Sequence, residues 1–157
     1  KHIGYKTLKM FEYCLNNMNF DYIFRTNSSS YLDIGKLITF ISDKPITRFY
    51  SGVVGTLRDS QPSSSYADVR FASGSGYFIS RDLVQLVLSN KDKWIHSLID
   101  DVALGQLLGS MSVDIHSGQR QDITSTEQYI EGFYHYRVKC HNDRNGDIAI
   151  MKHIYNK

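Results

Sequence analysis

At 157 residues, 41% hydrophobic and 22% charged, the chain has the size and composition of one soluble globular domain with its own core. A formal charge of +2 gives little support to the concentrated basic surface of a nucleic-acid binder, and no nucleic-acid partner is expected. No run approaches the roughly 18 to 20 apolar residues of a membrane span and no signal peptide is visible, so a soluble chain, cytoplasmic where no anchor lies upstream, is the expectation. Cys14 and Cys140 stand in no Cys-x-x-Cys spacing and are expected as free thiols.

Tyr5, Leu8, Phe11, Leu15 and Met18 recur at helical spacing, with Cys14 on the same side and Lys6, Lys9 and Glu12 between them. This predicts an amphipathic first helix that ends among Asn16, Asn17 and Asn19. Residues 21–26 are aromatic and β-branched, a buried strand that runs into a polar loop over residues 27–30. A helix is expected over residues 32–41, stopped by Lys44-Pro45, and then a strand over residues 48–53. Residues 55–67 are rich in serine and glycine, contain Pro62 and show no periodicity, which predicts a mobile surface loop.

Residues 71–80 place small side chains ahead of an apolar run, and residues 81–89 follow with Leu83, Val84, Val87 and Leu88 on one helical face and Ser80 as the expected N-cap. A helix over residues 99–108 opens on Asp100-Asp101, where carboxylates suit the positive end of the macrodipole. Strands near residues 112–115 and 132–138 and a last helix over residues 147–155 complete a mixed α/β order without internal repeats.

Three segments carry chemistry. The first is Phe24-Arg-Thr-Asn-Ser-Ser-Ser-Tyr31, the second Gly74-Ser-Gly-Tyr-Phe-Ile-Ser80, the third Asp100-Asp-Val-Ala-Leu-Gly105. Their order resembles that of the β-1,3-galactosyltransferase and Fringe group. In that group a strand ends in an acidic metal-binding motif, a Gly-x-Gly-Tyr-Val-x-Ser segment comes later, and an acidic pair followed by Val-x-x-Gly comes last. The resemblance implies a GT-A-like fold, a mixed-sheet α/β sandwich of which this chain supplies the acceptor side and the C-terminal portion. The 26 residues ahead of Asn27 are too few for the nucleotide-binding βαβ region of such enzymes. One domain truncated at its N-terminus, or completed by a partner chain, is therefore expected.

The resemblance further implies an inverting transfer of a hexose from a nucleotide-diphosphate sugar to a glycan hydroxyl. Asp101 would be the general base that takes the acceptor proton, with Asp100 as its orienting neighbour. Gly74, Ser75 and Gly76 would let the backbone approach the acceptor, and Tyr77 would stack on a pyranose face; the alternative is a tight turn before a core strand with Tyr77 buried. Arg25, Asn27, Ser28 and Ser29 occupy the donor-binding segment.

Where the group holds Mn²⁺ or Mg²⁺ with carboxylates, Asn27, Ser28 and Ser29 offer neutral oxygens only, which weakens the implied cation site. His135 resembles the group's histidine ligand. Arg137 and Lys139, on its face of an extended strand, would meet the diphosphate directly, or else mark a solvated sheet edge. His2, His96, His116, His141 and His153 show no ligand spacing, which argues against zinc. A non-catalytic carbohydrate-binding or assembly module is the alternative function. A glycosidase is disfavoured, because adjacent aspartates do not face each other across a bond.

Overall fold

The computed structural model describes residues 3–58, 61, 63–140 and 143–157. In chain order it contains α1 (Ile3–Asn17), β1 (Tyr22–Thr26), β2 (Ser30–Leu32), α2 (Ile34–Ile41), β3 (Tyr50–Gly55) and β4 (Phe71–Ser80). There follow α3 (Arg81–Ser89), α4 (Asp100–Ser110), β5 (His116–Ser117), β6 (Gln121–Ile123), β7 (His135–Val138) and α5 (Arg144–Tyr155). The mixed α/β order expected from the sequence is the one observed.

Two compact units divide the chain, Lys1–Arg25 with Pro45–Gly118 and Thr26–Lys44 with Gln119–Lys157. The first holds a sheet in the order β1-β4-β3-β5, with β3 antiparallel to β4 and parallel to β5. Phe11, Tyr50, Ile79, Val84 and Leu104 lie in its core. The second holds the sheet β2-β7-β6, with Ile123, Tyr136 and Val138 packed against Ile150 and Ile154 of α5.

Element boundaries moved where the backbone required it. The strands expected from Arg48 and Gly132 begin later, at Tyr50 and His135, and the one expected over residues 112–115 does not form, the two-residue β5 lying just beyond it. Arg48, Ser112 and Gly132 have positive φ, at 51°, 56° and 122°, which an extended strand does not accept. Ser30–Leu32, expected partly as loop, forms β2, which pairs with β7 and packs Tyr31 beside Tyr136. α2 starts two residues late because Asp33 caps it, its Oδ1 accepting from Lys36 N at 3.0 Å. α5 starts early for the same reason, with Asp143 Oδ1 accepting from Asn145 N at 3.0 Å. In α1 only the middle of the apolar stripe is buried, at Leu8 and Phe11, while Tyr5 and Met18 stay exposed.

Ser80 has the backbone geometry of an N-cap but makes no capping bond: its hydroxyl donates to Asp82 Oδ1 at 2.5 Å and accepts from Phe49 N at 3.0 Å. The segment expected as a surface loop is anchored at Leu57 and Ala67, both buried, and Leu57 packs with Phe71 and Val102. Asp59, Ser60 and Pro62 of that segment lie outside the described residues.

Helix α4 lies very close on β4. A Cβ added to Gly105 would stand 2.5 Å from both Arg70 O and Phe71 Cβ, a distance no side chain accepts without moving backbone. A Cβ at Gly109, one turn on, would meet nothing within 4 Å. Alanine gains about 1 kcal/mol of helix propensity over glycine, but overpacking against fixed backbone costs about 1–3 kcal/mol, so sterics decide the sign at Gly105. Gly105→Ala is expected to lower unfolding free energy in urea titrations, whereas Gly109→Ala is expected to leave it unchanged or raise it slightly.

Candidate functional site

Small residues open a gap in the β3–β4 ladder. Gly52 pairs with Tyr77 and Val54 with Ala72, so between those pairs β3 advances two residues and β4 five. The surplus is the Ser73-Gly-Ser-Gly76 stretch, which bulges from the β3 side of the ladder and frees backbone donors there. One is used at once: Gly74 N donates to Asp101 Oδ2 at 2.7 Å. A Cβ at Gly74 would stand 2.5 Å from Arg25 Nη1 and 2.9 Å from Asp101 Oδ2, so any side chain here would push those two groups from their present positions.

The other Asp101 oxygen, Oδ1, accepts from Val102 N at 3.0 Å. Each oxygen is thus held by one backbone N–H and keeps lone-pair capacity for another partner. Burial pushes the Asp101 carboxyl above the ordinary aspartate range and the neighbouring Asp100 charge adds to this, while the Gly74 and Val102 N–H groups and Arg25 act in the opposite direction.

Asp100 turns the other way. Its Oδ2 accepts from Arg25 Nη2 at 2.8 Å and from Thr7 Oγ1 at 3.0 Å, in a buried setting where both donors come from distant chain segments. Arg25 is engaged on a second side as well, its guanidinium standing 5.8 Å from the centroid of the Tyr77 ring. Tyr77 is 1% exposed and meets Tyr50 edge-on, the core alternative of the two that the sequence left open. Gly74, Ser75 and Gly76 are buried with it. Arg25, Asp100, Asp101 and Gly74 are therefore brought together in the first unit. A neighbouring cleft of about 460 Å³, lined by residues that include Gly105, Gln106, Gly109 and Asp114, does not include Asp101.

The remaining sequence-predicted residues belong to the second unit. Asn27 Oδ1 accepts from Ser29 N at 3.0 Å and Ser30 Oγ at 3.2 Å, a turn closed on itself. Arg144 donates to the Ser28 carbonyl and to Ser29 Oγ. His135 is 1% exposed and shares a 2.9 Å hydrogen bond between Nε2 and Ser30 Oγ. Arg137 lies on the same face of β7 and donates to Asp122 Oδ2 at 3.0 Å, a carboxylate that Arg120 also holds. Lys139 falls one residue beyond β7 and is exposed.

These side chains do not fit the divalent cation that the resemblance implies. The segment offers no carboxylate, Asn27 and Ser29 are already bonded, and His135 is buried beside the positive charges of Arg120 and Arg137. Among the described residues no three histidine, cysteine or acidic side chains form a metal-holding group, and no helix is long and apolar enough to cross a membrane. His2 and His141 lie outside the described residues.

Sequence reasoning missed Thr7 and Arg144. Thr7 had a signal, a hydroxyl inside the buried 7, 8, 11 register of α1. So did Arg144, a cation in the first turn of α5 where the macrodipole disfavours it unless acidic or carbonyl partners compensate, as Asp147 and Ser28 do.

The family model described as Galactosyltransferase matches residues 57–119, a stretch that contains both the Gly74–Ser80 segment and the Asp100–Gly105 segment. That match supports kinship with galactosyltransferases and glycosyl transfer as the general chemistry, and the mixed α/β structure is consistent with a partial GT-A-like fold. No curated protein matches the chain.

The second unit carries a pH dependence of its own. Burial lowers the His135 imidazole from 6.5 to about 4, with Arg120 contributing in the same direction. The folded state therefore refuses a proton that the unfolded chain takes up. Stability is full above about pH 6.5 and is lost as pH falls toward about 4, by about 3 kcal/mol in total. Thermal unfolding followed at pH 7, 5.5 and 4.5 should show a steeper loss for wild type than for His135→Asn, and parallel losses would refute it.

Proposed function

We propose that the first unit activates the acceptor in an inverting glycosyl transfer, with Asp101 as general base. The observation that carries this reading is the placement of one half-buried carboxylate whose two oxygens are each fixed by a backbone N–H, next to a second carboxylate already committed to Arg25 and Thr7. The family match supports a nucleotide sugar as donor and a glycan as acceptor.

In the step proposed, Asp101 takes the proton of an acceptor hydroxyl as that oxygen forms a bond to the anomeric carbon. The bond from that carbon to the diphosphate oxygen breaks, and the nucleoside diphosphate leaves with the electron pair from the opposite face. Two N–H anchors restrict rotation of the carboxylate, which favours a single attack geometry. Burial raises its proton affinity toward working pH, which makes it the stronger base. Asp100 serves another purpose, since its Oδ2 is already engaged by Arg25 and Thr7. With no carboxylate at residues 27–29, stabilisation of the departing diphosphate falls to cationic side chains.

The alternative, a binding module without turnover, draws support from Asn27, whose side chain is spent on its own turn. The two readings separate on one assay, release of UDP from UDP-galactose in the presence of a set of p-nitrophenyl glycosides. Asp101→Asn should lower turnover by about two to four orders of magnitude with donor affinity nearly unchanged, because the amide oxygen can still accept from Gly74 N but takes no proton. The wild-type acid limb should lie above the ordinary aspartate value of 3.8, since the base must be ionised and burial makes it harder to ionise. Turnover of Asp101→Asn within about tenfold of wild type would refute the assignment. Glycoside binding without turnover would favour the module.

A further inference from the structure

We propose that Thr7 of α1 is a positioning residue for the carboxylate pair: with Arg25 it pins Asp100, and thereby holds the first turn of α4 so that Asp101 faces the acceptor in one orientation. The proposal rests on the reading of Asp101 as base.

α4 begins without a side-chain cap, because its N-cap residue is Ile99. Something else must hold its first turn. Two consecutive residues do so from opposite directions, Asp101 through Gly74 N on β4 and Asp100 through donors on α1 and β1. Arg25 and Thr7 converge on the same oxygen, Asp100 Oδ2, at 2.8 Å and 3.0 Å. One donor alone leaves the carboxylate free to pivot about that contact; a second donor from another element removes the freedom. Because Asp100 and Asp101 share a peptide unit, a pivot at the first changes the aim of the second.

A threonine within a helix ordinarily returns its hydroxyl to the carbonyl four residues back. Here that contact, to Ile3 O, is 3.4 Å, longer than the 3.0 Å to Asp100 Oδ2. A hydrogen bond to a carboxylate is also about twice as strong as one between neutral groups. Thr7 is 6% exposed, at a position where the register of Leu8 and Phe11 would equally accept a purely apolar side chain. The hydroxyl therefore has a use that packing does not supply. The charged and titratable groups around it are Asp100, Asp101, Arg25, Tyr50 and Tyr77, all on the first unit.

The test uses the full chain, UDP-galactose and p-nitrophenyl glycosides. Thr7→Val preserves shape and removes the donor; it should lower kcat about tenfold or more with donor KM within about twofold. Thr7→Ser restores the donor and should recover most of the loss. Should Thr7→Val not fold, Thr7→Cys replaces it, because a thiol of similar size donates weakly, and it should fall well below Thr7→Ser. A kcat within about twofold of wild type for the Val or Cys variant, or equal loss in the Ser variant, overturns the proposal. Asp101→Asn run in parallel separates the two claims. An inactive Asp101→Asn beside a normal Thr7→Val removes only the role of Thr7. An active Asp101→Asn, or a wild type inert with this donor, overturns both.

Discussion

Gly105 meets the backbone of Arg70 and Phe71 at a distance that leaves no room for a side chain, and this close approach fixes where the start of α4 comes to rest. One turn earlier Val102, fully buried, seats the helix against Leu57 and Phe71. With both contacts made, Asp101 stands 2.7 Å from a backbone N–H that the β4 bulge has released. Had α4 been lifted by even one methyl group, the hydrogen bond would open, since its length tolerates only a few tenths of an ångström. The valine and glycine of the Asp-Asp-Val-x-x-Gly segment thus act on the same geometry as its aspartates, by packing.

The charges in this arrangement are unequal in kind. Arg25 and Asp100 form an ion pair mostly withdrawn from water, with side-chain exposures of 22% and 9%. Such a pair adds little net stability compared with apolar residues of the same shape, yet removal of either partner strands the other and costs about 3–5 kcal/mol. Its value lies in specificity of geometry. Asp101, without a cationic partner at bonding distance and held only by neutral N–H groups, keeps its basicity. Two adjacent carboxylates, identical in the sequence, are differentiated by which neighbours the fold brings to each.

How much of this was legible in the sequence follows from the range of the interactions involved. Helical periodicity is local, and α1, α3 and α4 were found with boundaries within a residue or two, whereas the small residues ahead of the apolar run at residues 71–80 hid that the whole stretch is the single strand β4. Strand starts failed at Arg48 and Ser112, because positive φ at a non-glycine residue is imposed by tertiary contacts, such as Arg48 N to Asp82 and its guanidinium to Ser112 O. In the site, the Gly74 segment and the aspartate pair could be singled out, but not their partnership, which spans 27 residues and depends on a bulge that no periodicity announces. Thr7, 93 residues from Asp100, was beyond reach except as an odd hydroxyl on an apolar face.

The second unit obeys the same logic with a different result. A strand that ends in carboxylates would carry a concentration of negative charge requiring a cation; one that ends in Asn27-Ser-Ser needs only local bonds, and Asn27 supplies them through its own turn. Neutral oxygens also remove the reason to keep a histidine at the surface, and His135 is accordingly buried against Ser30, with a proton affinity too low for it to be charged near neutral pH. Arg144 then occupies Ser28 and Ser29 from the α5 side, a contact that a bound cation would oppose by charge. Aspartates placed at residues 27–29 would therefore stand at the surface beside Arg144, and would meet that guanidinium before they met a metal ion.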